Sequence, residues 1–367
     1  MAEHARSDAD TQRQRLFDCT PTMVRALLVE IGEAEYRADQ ILEWVYGRQA
    51  RSFDEMTNLS KVLRRRLADG FHLYESEIVH TARAADGVVK LLLRWADGET
   101  TECVSIPSGD RRTACISTQV GCPVGCTFCA SGIGSVRRNL SAGQIVEQAM
   151  IIAHQAADDT RLSNVVFMGM GEPLANYDAT IVAVRTINAE WGMNIGARKI
   201  TISTIGLPKQ IKRLADEDLQ VTLALSLHAP TDALRRELIP WAEGVTIEQL
   251  VEAARHYFDR TGREVTLEYV LLAGVNDGRE QVRQLAGIAR RMRCNVNLIP
   301  YNPIEGLPYG RPSGDAAGAF LQLLCERGIN AHLRRSRGLD ITGACGQLRR
   351  RMDEDSPSAR PGSRDVS

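Results

Sequence analysis

Nowhere in these 367 residues does an apolar run reach the roughly 20 residues that a membrane-spanning helix needs. Residues 1–15 also lack an apolar stretch of the secretory type, being polar and carrying both signs of charge. The expectation is a cytoplasmic protein that makes no membrane contact. Net charge is nearly absent: 45 Lys and Arg against 46 Asp and Glu leave −1, so no global basic field announces a nucleic-acid partner. No segment repeats at a solenoid period. A disulfide framework is missing too, because the nine cysteines are odd in number and scattered through a long chain. In a reducing compartment such cysteines are thiols, metal ligands or catalytic groups. The apolar fraction of 44% and charged fraction of 25% are ordinary for a globular protein. The length suits a main domain with a smaller companion.

Three of the cysteines stand together. Cys122, Cys126 and Cys129 follow a C-x3-C-x2-C spacing with no fourth cysteine nearby. A four-iron cube takes one thiolate per iron, so three local thiolates leave one iron open to another ligand. The same spacing fits an incomplete zinc site, or a redox pair of Cys126 and Cys129 with a bystander. Cys115 precedes the triad, and Cys345 lies near the end between small residues, Gly343, Ala344 and Gly346. Taken singly, each of these two reads as a buried, inert thiol.

The chain divides at 1–12 and 351–367 into polar tails, 13–80 into a helical segment and 81–112 into a β-hairpin linker. Residues 113–350 form an α/β core. Helical apolar spacing runs through Met23, Leu27, Leu28 and Ile31, then Ile41, Leu42 and Val45, with Thr20-Pro21 as a helix start. Asp97-Gly98 marks a tight turn between two strands. From about 113 onward, six β-rich runs alternate with six helix-length segments: 114–118, 164–168, 199–203, 221–226, 265–270 and 295–299, each followed by a helix. Ser141 and Gln144 predict a capping box on the first helix. Six β-then-α units in a row predict a parallel sheet, doubly wound or a partial barrel.

Ligands in parallel α/β folds gather at the carboxyl ends of the strands, and every polar motif falls at such an end. The cysteine loop follows the first strand, and Gly169-Met-Gly171-Glu172-Pro173 follows the second. Ser203 closes the third, Ser226-Leu227-His228 the fourth, and Tyr301-Asn302-Pro303 the sixth. Each of these, seen alone, is equally an ordinary polar loop group. Two arginine groups, Arg334, Arg335 and Arg337, then Arg349, Arg350 and Arg351, bracket Cys345. Clusters of this kind read by default as solvated faces.

In order along the chain, Glu102, Cys115, the triad, Gly-Met-Gly-Glu-Pro, Ser203, Ser-Leu-His-Ala, Tyr-Asn-Pro and Ala-Cys-Gly-Gln-Leu resemble the RlmN/Cfr family of radical S-adenosylmethionine (SAM) RNA adenine methyltransferases. The resemblance spans about 16 to 350, and Cys345 in Ala-Cys-Gly-Gln-Leu, paired with Cys115, is its specific part. It implies a partial (β/α)6 barrel preceded by a small helical domain that contacts RNA. Cys122, Cys126 and Cys129 would hold a [4Fe-4S] cluster, and Gly171, Glu172, Ser203, Ser226, Leu227, His228 and Asn302 would hold SAM. Cys345 would be methylated by a first SAM, and a radical from a second would activate that methyl group for addition to adenine. Cys115 would resolve the adduct through a transient disulfide with Cys345, and Glu102 would accept the proton, with Cys115 as its competitor in that role. The resemblance further implies methylation at C2 of adenine in 23S rRNA at the peptidyl transferase centre and in tRNA beside the anticodon. It also implies a flavodoxin- or ferredoxin-type electron donor and a monomer. The same motifs serve C8 methylation of the same ribosomal adenine, so regiochemistry is not separated at this level. Readings outside the family are a zinc-containing RNA-binding module and a radical SAM enzyme with another substrate.

Overall fold

Ten strands lie in one sheet whose spatial order follows the chain without a break. The computed structural model describes residues 13–155, 161–334, 337, 338 and 341. The strands are β1 (Glu77–Arg83), β2 (Val89–Arg94), β3 (Thr100–Ser108), β4 (Arg111–Cys115), β5 (Arg161–Phe167), β6 (Ile200–Thr204), β7 (Thr222–Ser226), β8 (Val265–Leu271), β9 (Cys294–Pro300) and β10 (Ala331–Leu333). β1 to β4 pair antiparallel. From β4 onward every pairing is parallel. The sheet is open, with β1 and β10 at its two edges. This is the expected partial barrel of six β/α units, to which β10 adds a seventh parallel strand. The tails, and the segment carrying Cys345, lie outside the described residues.

Three helices precede the sheet: α1 (Pro21–Glu30), α2 (Arg37–Leu42) and α3 (Lys61–Gly70). Thr20 caps α1 by accepting the Met23 N–H at 3.3 Å, with Pro21 in the first turn as its spacing predicted. The parallel strands are joined by α4 (Ala142–His154), α5 (Tyr177–Asn188), α6 (Pro208–Ala215), α7 (Asp232–Leu238), α8 (Ile247–Thr261) and α9 (Arg279–Ala289), and α10 (Gly314–Glu326) leads from β9 to β10. Ser141 and Gln144 form the predicted capping box on α4. The short helix α7 and the strand β1 have no counterpart in the sequence reading. α7 is only seven residues long, too short for apolar periodicity to register. β1 is largely solvent-facing and carries little apolar signal.

The tight turn at Asp97-Gly98 is present, with Gly98 at φ +83. The strands it joins are not a separate linker, because β2 and β3 continue the main sheet. One apolar cluster runs from Leu16 and Phe17 through Ile145 and Ala149 of α4 to the sheet, so the helical segment and the barrel share a core. Polar ties reinforce that contact. Asp18 accepts from the Gly143 N–H and from Ser141 Oγ at 3.0 Å, placing an acid at the N-terminus of α4, where the helix dipole favours it.

Glu147, in the middle of α4, accepts from the backbone N–H of Glu75 at 3.1 Å, and from the backbone N–H of Ser76 at 2.7 Å and its hydroxyl. Burial pushes the Glu147 carboxyl up to about 7, against the pull of the Ser76 and Glu75 donors. A carboxyl raised in the folded chain contributes stability that is full below its unfolded value and lost as pH rises through about 7. Denaturant melts from pH 5 to 8 should therefore show the wild-type chain losing on the order of 2 kcal/mol relative to Glu147→Gln. Parallel pH profiles for the two proteins would contradict this.

Candidate active site

The carboxyl ends of the parallel strands open on a cavity of about 260 Å³. Cys115 at the end of β4, Met168 just past β5, Val270 on β8 and Asn302 just past β9 line it, with Phe128 and Cys129 from the cysteine loop. Val88, Val104 and Ile106 from the antiparallel wing close one side, and Arg334 and Arg337, beyond β10, reach it. Cys115, Cys129 and Asn302, singled out from sequence, thus share one wall system with Arg334 and Arg337 of the arginine group before Cys345. Gly171, Glu172, Ser203, Ser226, Leu227 and His228 stand at neighbouring strand ends and do not line this cavity. Cys345 is outside the described residues.

The cysteine loop runs between the short strand Gln119–Val120 and the 3-10 turn Ala130–Gly132. Its entry needs glycine: Gly121 has φ +79, and a Cβ there would lie 2.5 Å from the Ser135 carbonyl oxygen. The loop closes on itself through the Cys129 N–H to the Cys126 carbonyl at 3.1 Å. It is seated on the end of α7, whose Leu238 carbonyl accepts the Thr127 N–H at 3.0 Å. Val124, Phe128 and Ala130 pack into an apolar cluster with Ile205, Leu238 and Ile239, and the three cysteines lie against that cluster. Burial pushes the Cys122 thiol up to about 12 and the Cys126 thiol well above its usual range, and the neighbouring cysteines add to both shifts.

The Gly-Met-Gly-Glu-Pro turn presses against the end of β4. A Cβ on Gly169 would lie 2.6 Å from Ser117 Oγ, and one on Gly171, at φ +103, 2.8 Å from Thr118 Oγ1. Only glycine lets this backbone approach so closely. Ser117 Oγ accepts the Met170 N–H at 2.8 Å and donates to the Glu102 carbonyl at 2.6 Å. Glu172 is buried, and its two carboxylate oxygens accept the N–H groups of Leu174 at 3.0 Å and Ile205 at 2.9 Å. Burial pushes this carboxyl up to about 7, while the Ile205, Thr204 and Leu174 donors pull it down. Its side chain ties β5 to β6, and the turn presents backbone toward the strand ends.

Ser203 and Ser226 face each other across β6 and β7, Oγ to Oγ at 3.3 Å. His228 sits at φ +58, a left-handed backbone that a side chain seldom adopts, and is held there by the Asn276 amide donating to its carbonyl at 2.8 Å. Burial, and then the Arg235 cation, lower its pKa to about 3, so the ring is neutral. Nδ1 accepts the Val270 N–H at 3.1 Å, which assigns the ring proton to Nε2 as a donor. The ring meets Phe128 edge to face at 5.1 Å. Asn302 Oδ1 accepts from Arg311 at 2.6 Å, which fixes the amide with Nδ2 as its remaining donor.

Glu102 lies on β3 two residues before Val104, on the same face of the strand. It does not line the cavity. Its carboxylate is buried 3.3 Å from the buried Lys90 ammonium of β2.

Two family profiles match the chain: the radical SAM superfamily over residues 116–286, and the ribosomal RNA large subunit methyltransferase N-terminal domain over residues 14–73. A probable dual-specificity RNA methyltransferase RlmN of Rhodopirellula baltica is 44% identical over 94% of this chain and 92% of its own length. The corresponding protein of Thermosynechococcus vestitus is 50% identical over 87% of this chain and 93% of its own length. This chain belongs to the RlmN family of radical SAM enzymes. A crystal structure of a radical SAM methyltransferase from Sphaerobacter thermophilus superposes with a TM-score of 0.89 at 46% identity, covering 91% of this chain and 98% of that one.

Members of the RlmN family require SAM and a [4Fe-4S] cluster, and the donor set here suits that cluster. Among the described residues no three His, Cys, Asp or Glu side chains converge closely enough to hold a single ion. A cube spreads its thiolates over separate irons, so three thiols on one loop against an apolar floor are the fitting arrangement. Three buried charged side chains, Lys90, Arg235 and Glu268, were passed over by sequence reasoning. Glu268 of β8 lies beside Ser226 in register, accepts from Asn297 at 2.8 Å, and is pushed up to about 7 by burial. Lys90 had a readable signal: a lysine inside Val-Val-Lys-Leu-Leu-Leu has no polar face to occupy and must find a buried partner.

Proposed function

We propose that this chain transfers a methyl group from SAM to C2 of adenine in 23S rRNA and in tRNA, with Cys345 as the methyl carrier. The carrying observation is that a single cavity is lined by both Cys115 and Cys129 and is reached by Arg334 and Arg337. Cys345 follows Arg337 by eight positions in sequence.

Cys122, Cys126 and Cys129 hold the cluster. When bound, the cluster with its SAM supplies the one-electron chemistry that activates an otherwise inert methyl C–H bond. The Gly171–Glu172 backbone, the Ser203 and Ser226 hydroxyls, the loop at Leu227, the neutral His228 and the Asn302 amide position the cofactor at the strand ends. The apolar walls of Val88, Val104, Ile106 and Met168 exclude water from the cavity, as radical chemistry requires. Cys115 resolves the carrier. Its sulfur attacks the sulfur of Cys345, an S–S bond forms, the S–CH2 bond breaks, and the released electron pair on the methylene carbon takes up the proton given up by the Cys115 thiol, completing the methyl group. The proton lost from the adenine ring passes to Glu102, which is anchored by Lys90 and lies two residues before the cavity-lining Val104, or to its competitor Cys115, which lines the cavity itself. Arg334 and Arg337 contact phosphate and set the base against the cavity.

Incubation of the iron-loaded chain with SAM, reductant, and rRNA or tRNA should yield 2-methyladenosine in both RNAs by mass spectrometry of their digests. Cys345→Ala should yield none, while the wild-type peptide bearing Cys345 should carry a methyl group. Product at C8, or methyl transfer that survives Cys345→Ala, would reject the reading.

A further inference from the structure

Arg235 of α7 is 1% exposed, and its Nε and Nη1 are buried with no hydrogen-bond partner among the described residues. One hydrogen bond holds it, from Nη2 to the Ile205 carbonyl, and the charge of Asp232 on the same helix also favours it. A buried, under-satisfied guanidinium is expensive, and burial indeed lowers its pKa to about 10. The cation nevertheless has a destination. Arg235 lies one turn before Leu238, whose carbonyl seats the cysteine loop, and Leu234 and Leu238 pack in the same cluster as the three cysteines. Arg235 stands close enough to Cys126 to favour a thiolate there, and that thiolate would favour the guanidinium's charge more than Asp232 does. His228, which also feels the Arg235 cation, is neutral and supplies no anion.

Three thiolates on a doubly positive cube leave one net negative charge, and one-electron reduction adds a second. That charge would be buried beside Phe128, Val124 and Ile239, where Arg235 is a cation that acts on Cys126. We propose that Arg235 is the counter-charge of the thiolate-bound cluster: its buried, unpartnered guanidinium retains the cluster and raises the cluster's reduction potential. Arg235 is thus a positioning residue for the iron site rather than a catalytic one. The inference rests on the cysteine loop holding the cluster.

The test compares wild type, Arg235→Gln and Arg235→Lys after loading with iron and sulfide. It measures iron per chain and, in the absence of SAM, the midpoint potential by redox titration followed by EPR. Arg235→Gln should stabilise the reduced cluster at least tenfold less than wild type does, a potential more negative by about 59 mV for a one-electron couple. Arg235→Lys keeps the charge and should restore most of the shift. The metal-free Gln variant should melt no lower than metal-free wild type, because it sheds an unpaired buried charge, whereas the loaded variant should melt lower than loaded wild type. Equal potentials in wild type and Arg235→Gln would overturn the proposal. So would an unchanged potential with weakened SAM binding, which would assign the cation to the cofactor, or a Gln variant that fails to fold while Arg235→Lys folds with a shifted potential. Absence of iron from the wild-type chain would instead remove the cluster assignment itself.

Discussion

Replacing Cys126 by alanine should abolish methyl transfer to RNA and leave the purified chain nearly free of iron. Cys126 is the middle ligand of the loop. Its carbonyl closes the turn to Cys129, and a Cβ added to Gly132 would lie 3.0 Å from its backbone N and O. The backbone of the loop is therefore held independently of the sulfur, and deleting the thiol removes a ligand without unfolding its carrier. Two thiolates cannot satisfy a cube that takes one ligand at each of three irons. Iron per chain and visible absorbance should fall several-fold, while the metal-free variant should lose only about 1 kcal/mol of stability. Retention of wild-type iron by Cys126→Ala would show that the loop is not the cluster site.

The second large effect belongs to the Lys90–Glu102 pair. Both side chains are 1% exposed, on adjacent antiparallel strands of the wing that borders the cavity. Taking two charges out of water is repaid only while both are present, so removal of one partner leaves an uncompensated buried charge. Lys90→Met should therefore destabilise the chain by about 3–5 kcal/mol, visible as a lowered denaturant midpoint with little change in slope. Lys90→Met combined with Glu102→Leu should recover most of that loss, because an apolar pair of similar volume is often as stable as the ions it replaces. The double variant should still be inactive, which separates the stability role of the pair from the proton-accepting role assigned to Glu102. A single Lys90→Met change of less than about 1 kcal/mol would place the pair in a far wetter setting than its burial indicates.

Much of this architecture was legible from residues alone, for identifiable reasons. The six β/α units show because short runs rich in β-branched residues, such as Ile200–Thr204 and Val265–Leu271, alternate with helix-length segments, and because Ser141–Gln144 announces a helix start. The strand-end motifs show because parallel topology sends every carboxyl end to one rim. Other features depend on contacts that spacing does not encode. Arg235 sits beside Arg236 in an ordinary charged stretch, and only the fold distinguishes the buried one from the exposed one. Glu172 looks like a ligand-facing carboxylate in sequence, yet its two oxygens are taken by the N–H groups of Leu174 and Ile205. Asn302 reads as a turn residue or a ligand amide, and the Arg311 contact that orients it comes from nine positions downstream.

The seat of the cysteine loop has a consequence for how the protein is made. Thr127 docks on Leu238, a residue 111 positions further along the chain. At synthesis rates of roughly 5–20 residues per second, the loop leaves the ribosome several seconds before its platform exists. During that interval three thiols hang from the end of β4 with neither the α7 carbonyl nor the Ile239 wall to shape them. Iron delivered then would meet an unformed site, because the strictly sequential strand order completes the seat of the loop only once α7 has emerged.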